Sequence, residues 1–284
     1  MPLIKDQLDR FGKGRFFTSL DTAFGFHQIP IHEDSIEKTA FVTPDGHFKY
    51  LRMPFGLANA PAVFQTSVNL ALGNLKDSIA LVYLDDILIP NVTYKDGLVY
   101  LRQVLKALDS VGFSLNIEKC RFLQSSLEYL EREISGNGIR PGRAKIQALL
   151  DSPVLGNVKQ VRQSMGLASY FRKFIPAFAS KTACITHLTK QNVVFKLGEA
   201  QESARQYVIN YLTSRPLLAV FDPEIPTELH TDASNIGYGA ILIQKHDNIS
   251  RVVAYFSKRT TENEAKYHFY ELETLAIIQA LKHF

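Results

Sequence analysis

Apolar positions along this chain recur at two spacings, every second residue or every third to fourth, and the pattern predicts strands and helices in succession. Phe16-Phe17-Thr18-Ser19-Leu20-Asp21 is short, β-rich and ends in an acid, as a strand would. Before it, Ile4, Leu8 and Phe11 fall at helical spacing and Gly12-Lys13-Gly14 interrupts them, which predicts a short helix and a turn over residues 2–15. Thr43-Pro44-Asp45-Gly46 has the composition of a hairpin turn. Leu101, Val104, Leu105 and Leu108 predict a helix over residues 100–111, with a strand and turn following over 113–122. Val158, Val161, Met165, Ala168, Phe171 and Ile175 form one apolar stripe, and Asn157 with Gln160 makes a capping box at its start. Residues 180–212 read as a connecting segment with at least one more helix. Residues 229–234 form an acid-ended strand, residues 237–243 a glycine-led return strand, and Glu264, Tyr267, Glu271 and Glu273 sit on a helix running to the last residue.

One stretch concentrates the chemistry. In residues 79–89 two short apolar arms, rich in branched side chains, meet at Asp85-Asp86, which reads as a β-hairpin with two carboxylates at or beside its tip. Adjacent anions repel, and a divalent cation between or near them relieves that repulsion. Asp also occurs in turns for purely local hydrogen-bonding reasons. What favours chemistry here is that the arms are apolar enough to be buried and that Tyr83 leads directly into the acids.

A chain of 284 residues with 46% hydrophobic content has room for one large domain or several smaller ones. Cys120 and Cys184 lie far apart and form no metal spacing, so free thiols in a reducing compartment are expected. No cleaved signal or membrane-spanning apolar run is apparent, so a protein that is intracellular, in a cytoplasmic particle or the nucleus, and not secreted is expected. The net charge of +4 is small, but its distribution is uneven. Between residues 137 and 175 stand Arg140, Arg143, Lys145, Lys159, Arg162, Arg172 and Lys173 against a single acid, Asp151, a footprint suited to a phosphate backbone.

The run Tyr83-Leu84-Asp85-Asp86 resembles the catalytic box of reverse transcriptases, and other parts of that family follow in order. Asp21 followed by Thr22-Ala23-Phe24-Gly25-Phe26-His27-Gln28-Ile29-Pro30-Ile31 is similar to the first catalytic aspartate and its flank in gypsy-type LTR retrotransposon enzymes. Lys38-Thr39-Ala40-Phe41 and the run from Arg52 to Gln65 continue the resemblance. It implies that Asp21, Asp85 and Asp86 converge by sheet pairing to hold two Mg²⁺ (or Mn²⁺) ions for in-line nucleotidyl transfer to a primer 3′-hydroxyl. It implies further that Phe26 lies beside the sugar of the incoming nucleotide and excludes a 2′-hydroxyl. Phe55 and Gly56 would line the nucleotide and template pocket, a helix from about Pro61 would pack under the palm sheet, and Lys119 would protonate the leaving pyrophosphate. The partners so implied are an RNA template, a DNA or tRNA primer and dNTPs, with no membrane; the oligomeric state is left open.

Gly166-Leu167-Ala168-Ser169-Tyr170-Phe171-Arg172-Lys173-Phe174 is similar to the family's thumb, in which Arg143, Lys145, Lys159, Arg162 and Lys173 would hold an RNA·DNA hybrid through its backbone. Asp232 and Glu273 match two of four metal-binding carboxylates in the RNase H domain of such proteins. Two departures stand out. Glu131 follows Tyr129-Leu130 where relatives have glycine, placing an anion on the primer's path, and Phe195-Lys196-Leu197 lacks the usual tryptophan.

The fold class implied is α+β: a right-hand polymerase palm with a ferredoxin-like core, a helical thumb, a connecting segment and a truncated RNase H-like α/β domain. The divisions expected are a palm with partial fingers over 1–136, a thumb over 137–178, a connection over 179–215 and the N-terminal part of the RNase H-like domain over 216–284. With fingers and the rest of RNase H outside this sequence, no independent RNase H activity is expected. The functional reading is an RNA-directed DNA polymerase segment of a retrotransposon polyprotein. The alternative is a catalytically silent, retroelement-derived nucleic-acid-binding protein. A nucleotide cyclase on a similar palm lacks its glycine-rich acidic turn here.

Overall fold

The computed structural model describes residues 7, 10, 12, 14–152, 155–246 and 248–284. The helix expected from Ile4, Leu8 and Phe11 lies outside the described residues. The chain divides into two compact units, Met1–Tyr129 and Leu130–Phe284.

The first unit is built on a four-stranded sheet of order β4-β5-β1-β6, from β1 (Phe16–Asp21), β4 (Leu81–Tyr83), β5 (Asp86–Asn91) and β6 (Arg121–Gln124). β1 runs antiparallel to β5 with Leu20 opposite Ile87, Thr18 opposite Ile89, and Asp21 opposite Asp86. Side chains alternate across a strand, so Leu20, Ile87 and Ile89 share one face while Asp21 and Asp86 share the other. The apolar face carries α1 (Ala60–Leu72) and α2 (Tyr94–Ser110), joined to the sheet through Phe64, Val68, Val104 and Leu108, all buried. At about 1.5–3 kcal/mol for each large apolar side chain removed from water, this face dominates the unit's stability. A small hairpin, β2 (Phe41–Thr43) with β3 (Gly46–Phe48), turns at Pro44-Asp45 as its composition predicts. β7 (Ser126–Tyr129) ends the unit.

The helix over residues 100–111 begins earlier than expected. α2 starts at Tyr94 because Thr93 caps it, its Oγ1 accepting from the Asp96 N–H at 3.1 Å. The apolar spacing that marked Leu101 to Leu108 does not reach this first turn, whose side chains are largely exposed. The strand and turn expected over 113–122 is mostly turn: Leu115 makes a single bridge to Thr22, Cys120 N–H donates back to Asn116 O, and the strand β6 starts only at Arg121.

The second unit opens with the hairpin β8 (Arg132–Ser135) and β9 (Gly138–Pro141), then α3 (Arg143–Leu150), α4 (Val158–Tyr170) and α5 (Glu199–Thr213), with short turns of helix between. Val161, Met165, Ala168, Phe171 and Ile175 are buried, as the stripe required, though α4 itself stops at Tyr170. Its cap differs from the expected box by one residue. Asn157 Oδ1 accepts from Gln160 N–H at 2.9 Å, but Gln160 Oε1 accepts from Gly156 N–H at 2.7 Å rather than from Asn157.

The unit ends in an antiparallel meander, β10 (Thr227–Ala233), β11 (Gly237–His246) and β12 (Ile249–Arg259), with α6 (Phe269–His283) packed on it through Ala276 and Ala280 against Tyr238 and Phe256. β12 was not anticipated, although its eleven residues include Val252, Val253, Tyr255 and Phe256. The final helix is shorter than expected. Glu264 sits on a separate turn of 3₁₀-helix tied to Thr261 in both directions, Tyr267 lies in the break, and α6 starts after a second cap in which Glu271 Oε2 accepts from His268 N–H at 2.8 Å. Among the described residues no helix is long and apolar enough to cross a membrane.

Replacing Thr93 by Ala removes the cap of the helix that covers the four-stranded sheet. The expected loss is about 1 kcal/mol, read as a lowered urea midpoint, with Thr93→Ser restoring it.

Candidate active site

Three acids meet at one end of the sheet. Asp21 is the last residue of β1 and Asp86 the first of β5, directly opposite each other on the face away from the helices. Tyr83 pairs with Asp86, so Leu84 and Asp85 form a two-residue turn. Leu84 takes a left-handed conformation (φ +52°), unusual for a side chain with a Cβ.

Asp85 is held from the neighbouring segment. Thr22 donates its N–H to the Asp85 carbonyl at 3.1 Å and its hydroxyl to Asp85 Oδ1, also at 3.1 Å. Gly25 lies against the same carboxylate: a Cβ built there would come 2.8 Å from Asp85 Oδ1, and its φ of +42° also favours glycine. Thr22 and Gly25 were not singled out by sequence reasoning; the glycine just after the acid-ended strand was the available signal. Asp21 is fixed through its main chain, its carbonyl accepting from Asn116 N–H at 2.9 Å.

Burial raises the pKa of Asp85, against the lowering effect of the Thr22 hydroxyl. Asp86 is pushed up to about 6, first by burial and then by the negative charge of Asp21 and Asp85. Lys119 Nζ stands 3.6 Å from Asp21 Oδ1, but it is well exposed and offsets only part of this repulsion. Hard oxygen donors that repel one another suit a divalent cation. Among the described residues no group of three His, Cys, Asp or Glu is closed up as a metal cage, so a shared cation requires these side chains to turn toward each other.

Phe26 is partly buried, its ring centroid 5.5 Å from that of core residue Phe64 and 5.3 Å from that of Phe55. Phe55 is itself largely exposed. Gly56 has φ +94° and open space where a Cβ would point. Its need is for the backbone conformation, and no neighbour approaches it closely.

The cations of the second unit are less free than their sequence suggests. Lys145 Nζ is 2.8 Å from Glu131, the residue read as an obstacle to primer, and Arg143 Nε is 3.7 Å from Glu133, which also binds Arg215. Lys159 and Arg162 are exposed on α4, Arg162 donating to Thr189 O at 3.3 Å; Lys173 lies beyond the helix end with its Nζ 5.6 Å from the Phe174 ring centroid. Asp232 is exposed on edge strand β10 and Glu273 half-buried on α6, the helix that packs on that strand.

Residues 2–134 match the family model described as reverse transcriptase (RNA-dependent DNA polymerase), and residues 197–284 match that of an RNase H-like domain found in reverse transcriptase. The chain thus carries a reverse transcriptase domain over residues 2–134 and an RNase H-like domain of the kind found in reverse transcriptase over residues 197–284. Its relatives are polyproteins of transposons. It is 38% identical over 289 residues to the retrovirus-related Pol polyprotein from transposon 297 of Drosophila melanogaster, covering 100% of this chain and 26% of that protein. It is 35% identical over 284 residues to the transposon Tf2-3 polyprotein of Schizosaccharomyces pombe, covering 100% of this chain and 21% of that protein. The chain thus spans about a quarter or less of the length of these relatives. Among solved structures, the foamy viral protease-reverse transcriptase in complex with an RNA/DNA hybrid aligns over 99% of this chain and 38% of its own, with a TM-score of 0.85 at 23% identity. The dRH form of that protein in complex with double-stranded DNA gives a TM-score of 0.89 at 22% identity, over 100% of this chain and 50% of its own. The expected fold class, a reverse transcriptase followed by an RNase H-like domain, is the one found.

Because Asp86 is easier to protonate in the fold than in the unfolded chain, its contribution to stability is whole below about pH 4 and is lost as pH rises through about 6. Asp86→Asn is therefore expected to stabilise the metal-free chain at pH 8 by ~1–2 kcal/mol after allowance for partial exposure. The gain vanishes below pH 4. Urea unfolding at the two pH values checks this, and a pH-independent difference refutes it.

Proposed function

We propose that this chain is the RNA-directed DNA polymerase segment of a gypsy-type LTR retrotransposon polyprotein, extending a DNA or tRNA primer on an RNA template with dNTPs. The observation that carries the reading is the register pair Asp21–Asp86 with Asp85 in the adjoining turn. Asp21, Asp85 and Asp86 are the residues that would hold two Mg²⁺ or Mn²⁺ ions. When bound, such ions lower the pKa of the primer hydroxyl and neutralise charge on the phosphates.

The chain's own residues supply the rest. Thr22 and Gly25 set the Asp85 carboxylate, and Asn116 sets the end of β1. Lys119, beside Asp21, is placed to give a proton to pyrophosphate as it leaves. Phe26, braced by Phe64 and Phe55, is the flat wall against which a 2′-hydroxyl would collide. Residues 1–136 serve as palm with part of the fingers, 137–178 as thumb, 179–215 as connection and 216–284 as the first part of the RNase H-like domain. In the thumb, exposed Lys159 and Arg162 are the better candidates for phosphate contact than Arg143 and Lys145, which acids already engage. Asp232 and Glu273 are two carboxylates of the RNase H site. Free Cys120 and Cys184 suit action inside the cell.

Primer extension on poly(rA)·oligo(dT) with Mg²⁺ or Mn²⁺ tests the reading. The wild-type chain should extend the primer, and Asp85→Asn should lower the rate at least 100-fold with affinity for the hybrid unchanged. A wild type that binds hybrid but is no faster than Asp85→Asn supports the silent nucleic-acid-binding alternative instead. Phe26→Val should raise ribonucleotide relative to deoxynucleotide incorporation by tenfold or more, and an unchanged ratio removes Phe26 as the sugar discriminator.

A further inference from the structure

The geometry points to Gln65 as a positioning residue that clamps the carboxylate-bearing turn to helix α1, an inference that rests on the polymerase reading for its functional consequence. Gln65 is 4% exposed on α1, and its amide reaches across to the hairpin. Its Oε1 accepts from Leu84 N–H at 2.9 Å, and its Nε2 donates to Val82 C=O at 3.4 Å and to Asn69 Oδ1 at 3.1 Å.

The orientation of this amide follows from its partners. A backbone N–H can only donate and a backbone C=O can only accept, so one end of the Gln65 amide must be the oxygen and the other the nitrogen. Asn69, one helical turn further along the same face, accepts the second amide hydrogen and holds the group against rotation. Among the described residues no other single side chain bonds the backbone on both sides of Tyr83.

The turn requires such support. In a two-residue hairpin the N–H of the first turn residue has no ladder partner, and here that residue, Leu84, also carries the left-handed φ of +52°. An unpaired, half-buried N–H in a strained conformation relaxes by letting the turn move, and Asp85 and Asp86 move with it. Thr22 and Gly25 hold Asp85 from the sheet side; Gln65 holds the turn from the helix side. The carboxylates thereby inherit their position from the same helix that fills the core through Phe64 and Val68.

The test compares wild type, Gln65→Met, which keeps the side chain's length without its hydrogen bonds, and Asn69→Ala, which leaves Gln65 in place but frees its amide. Amide exchange by NMR should show Leu84 N–H exchanging at least tenfold faster in Gln65→Met and severalfold faster in Asn69→Ala, while Ile87 and Leu88 are unchanged. Primer extension should show kcat lowered at least tenfold in Gln65→Met with KM for dTTP and affinity for poly(rA)·oligo(dT) unaltered, and half-saturating Mn²⁺ raised severalfold. Unchanged Leu84 exchange, or a loss confined to KM, overturns the positioning role. If wild type and Asp85→Asn are equally inactive, the polymerase reading fails, and Leu84 exchange with Mn²⁺ binding still decides whether Gln65 clamps the turn.

Discussion

The antiparallel register of β1 on β5 is the constraint from which the site follows. Asp21 and Asp86 face each other only because Leu20 opposes Ile87 one residue along and Thr18 opposes Ile89 three residues along. A one-residue slip would carry every side chain of the slipped strand to the other face, burying its acid under α1 and α2. The acids do nothing to favour this arrangement: burial first, and their mutual repulsion after it, push Asp86 up to about 6. Burial of Leu20, Ile87 and Ile89, each at 0% exposure, is worth about 1.5–3 kcal/mol apiece. That exceeds a partly solvated charge repulsion, so apolar packing imposes the convergence of charge.

The same opposition recurs at smaller scale around Asp85. The turn places Leu84 in a left-handed conformation, and Gly25 leaves no room for a Cβ beside the carboxylate. Such local strain persists when the surroundings over-determine it. Here the surroundings are named: Thr22 through two hydrogen bonds, Gln65 through two to the hairpin, and the buried sheet itself. The backbone positions of the acids are thus set by the fold, while their carboxylates still have to turn toward each other to share a cation.

In the second unit, charge is distributed differently from what a count of residues conveys. The seven cations between residues 137 and 175 suggest one basic stripe. The fold instead spends Lys145 on Glu131 and Arg143 on Glu133, seats Arg132 over the Tyr170 ring at 4.6 Å, and leaves Lys159 and Arg162 exposed on α4. Glu131, which looks in sequence like an anion in the way of a primer, is already met by a cation.

Local pattern was enough to locate the strand ending at Asp21, the hairpin bearing Asp85 and Asp86, the Pro44-Asp45 turn and the buried stripe of α4, because each depends on periodicity or turn chemistry within a dozen residues. Helix starts were less legible. Thr93 and His268 act through local hydrogen bonds to the first turn that follows them, and apolar spacing says nothing about these. Tertiary structure alone decided which distant groups meet. Nothing in the sequence around Gln65 or Gly25 states that one would bind Leu84 and the other touch Asp85, since both contacts arise from the packing of separate elements. Short-range preferences are written residue by residue, whereas the alignment of a helix over a sheet is set by the whole core at once, and the chemistry sits where those two levels join.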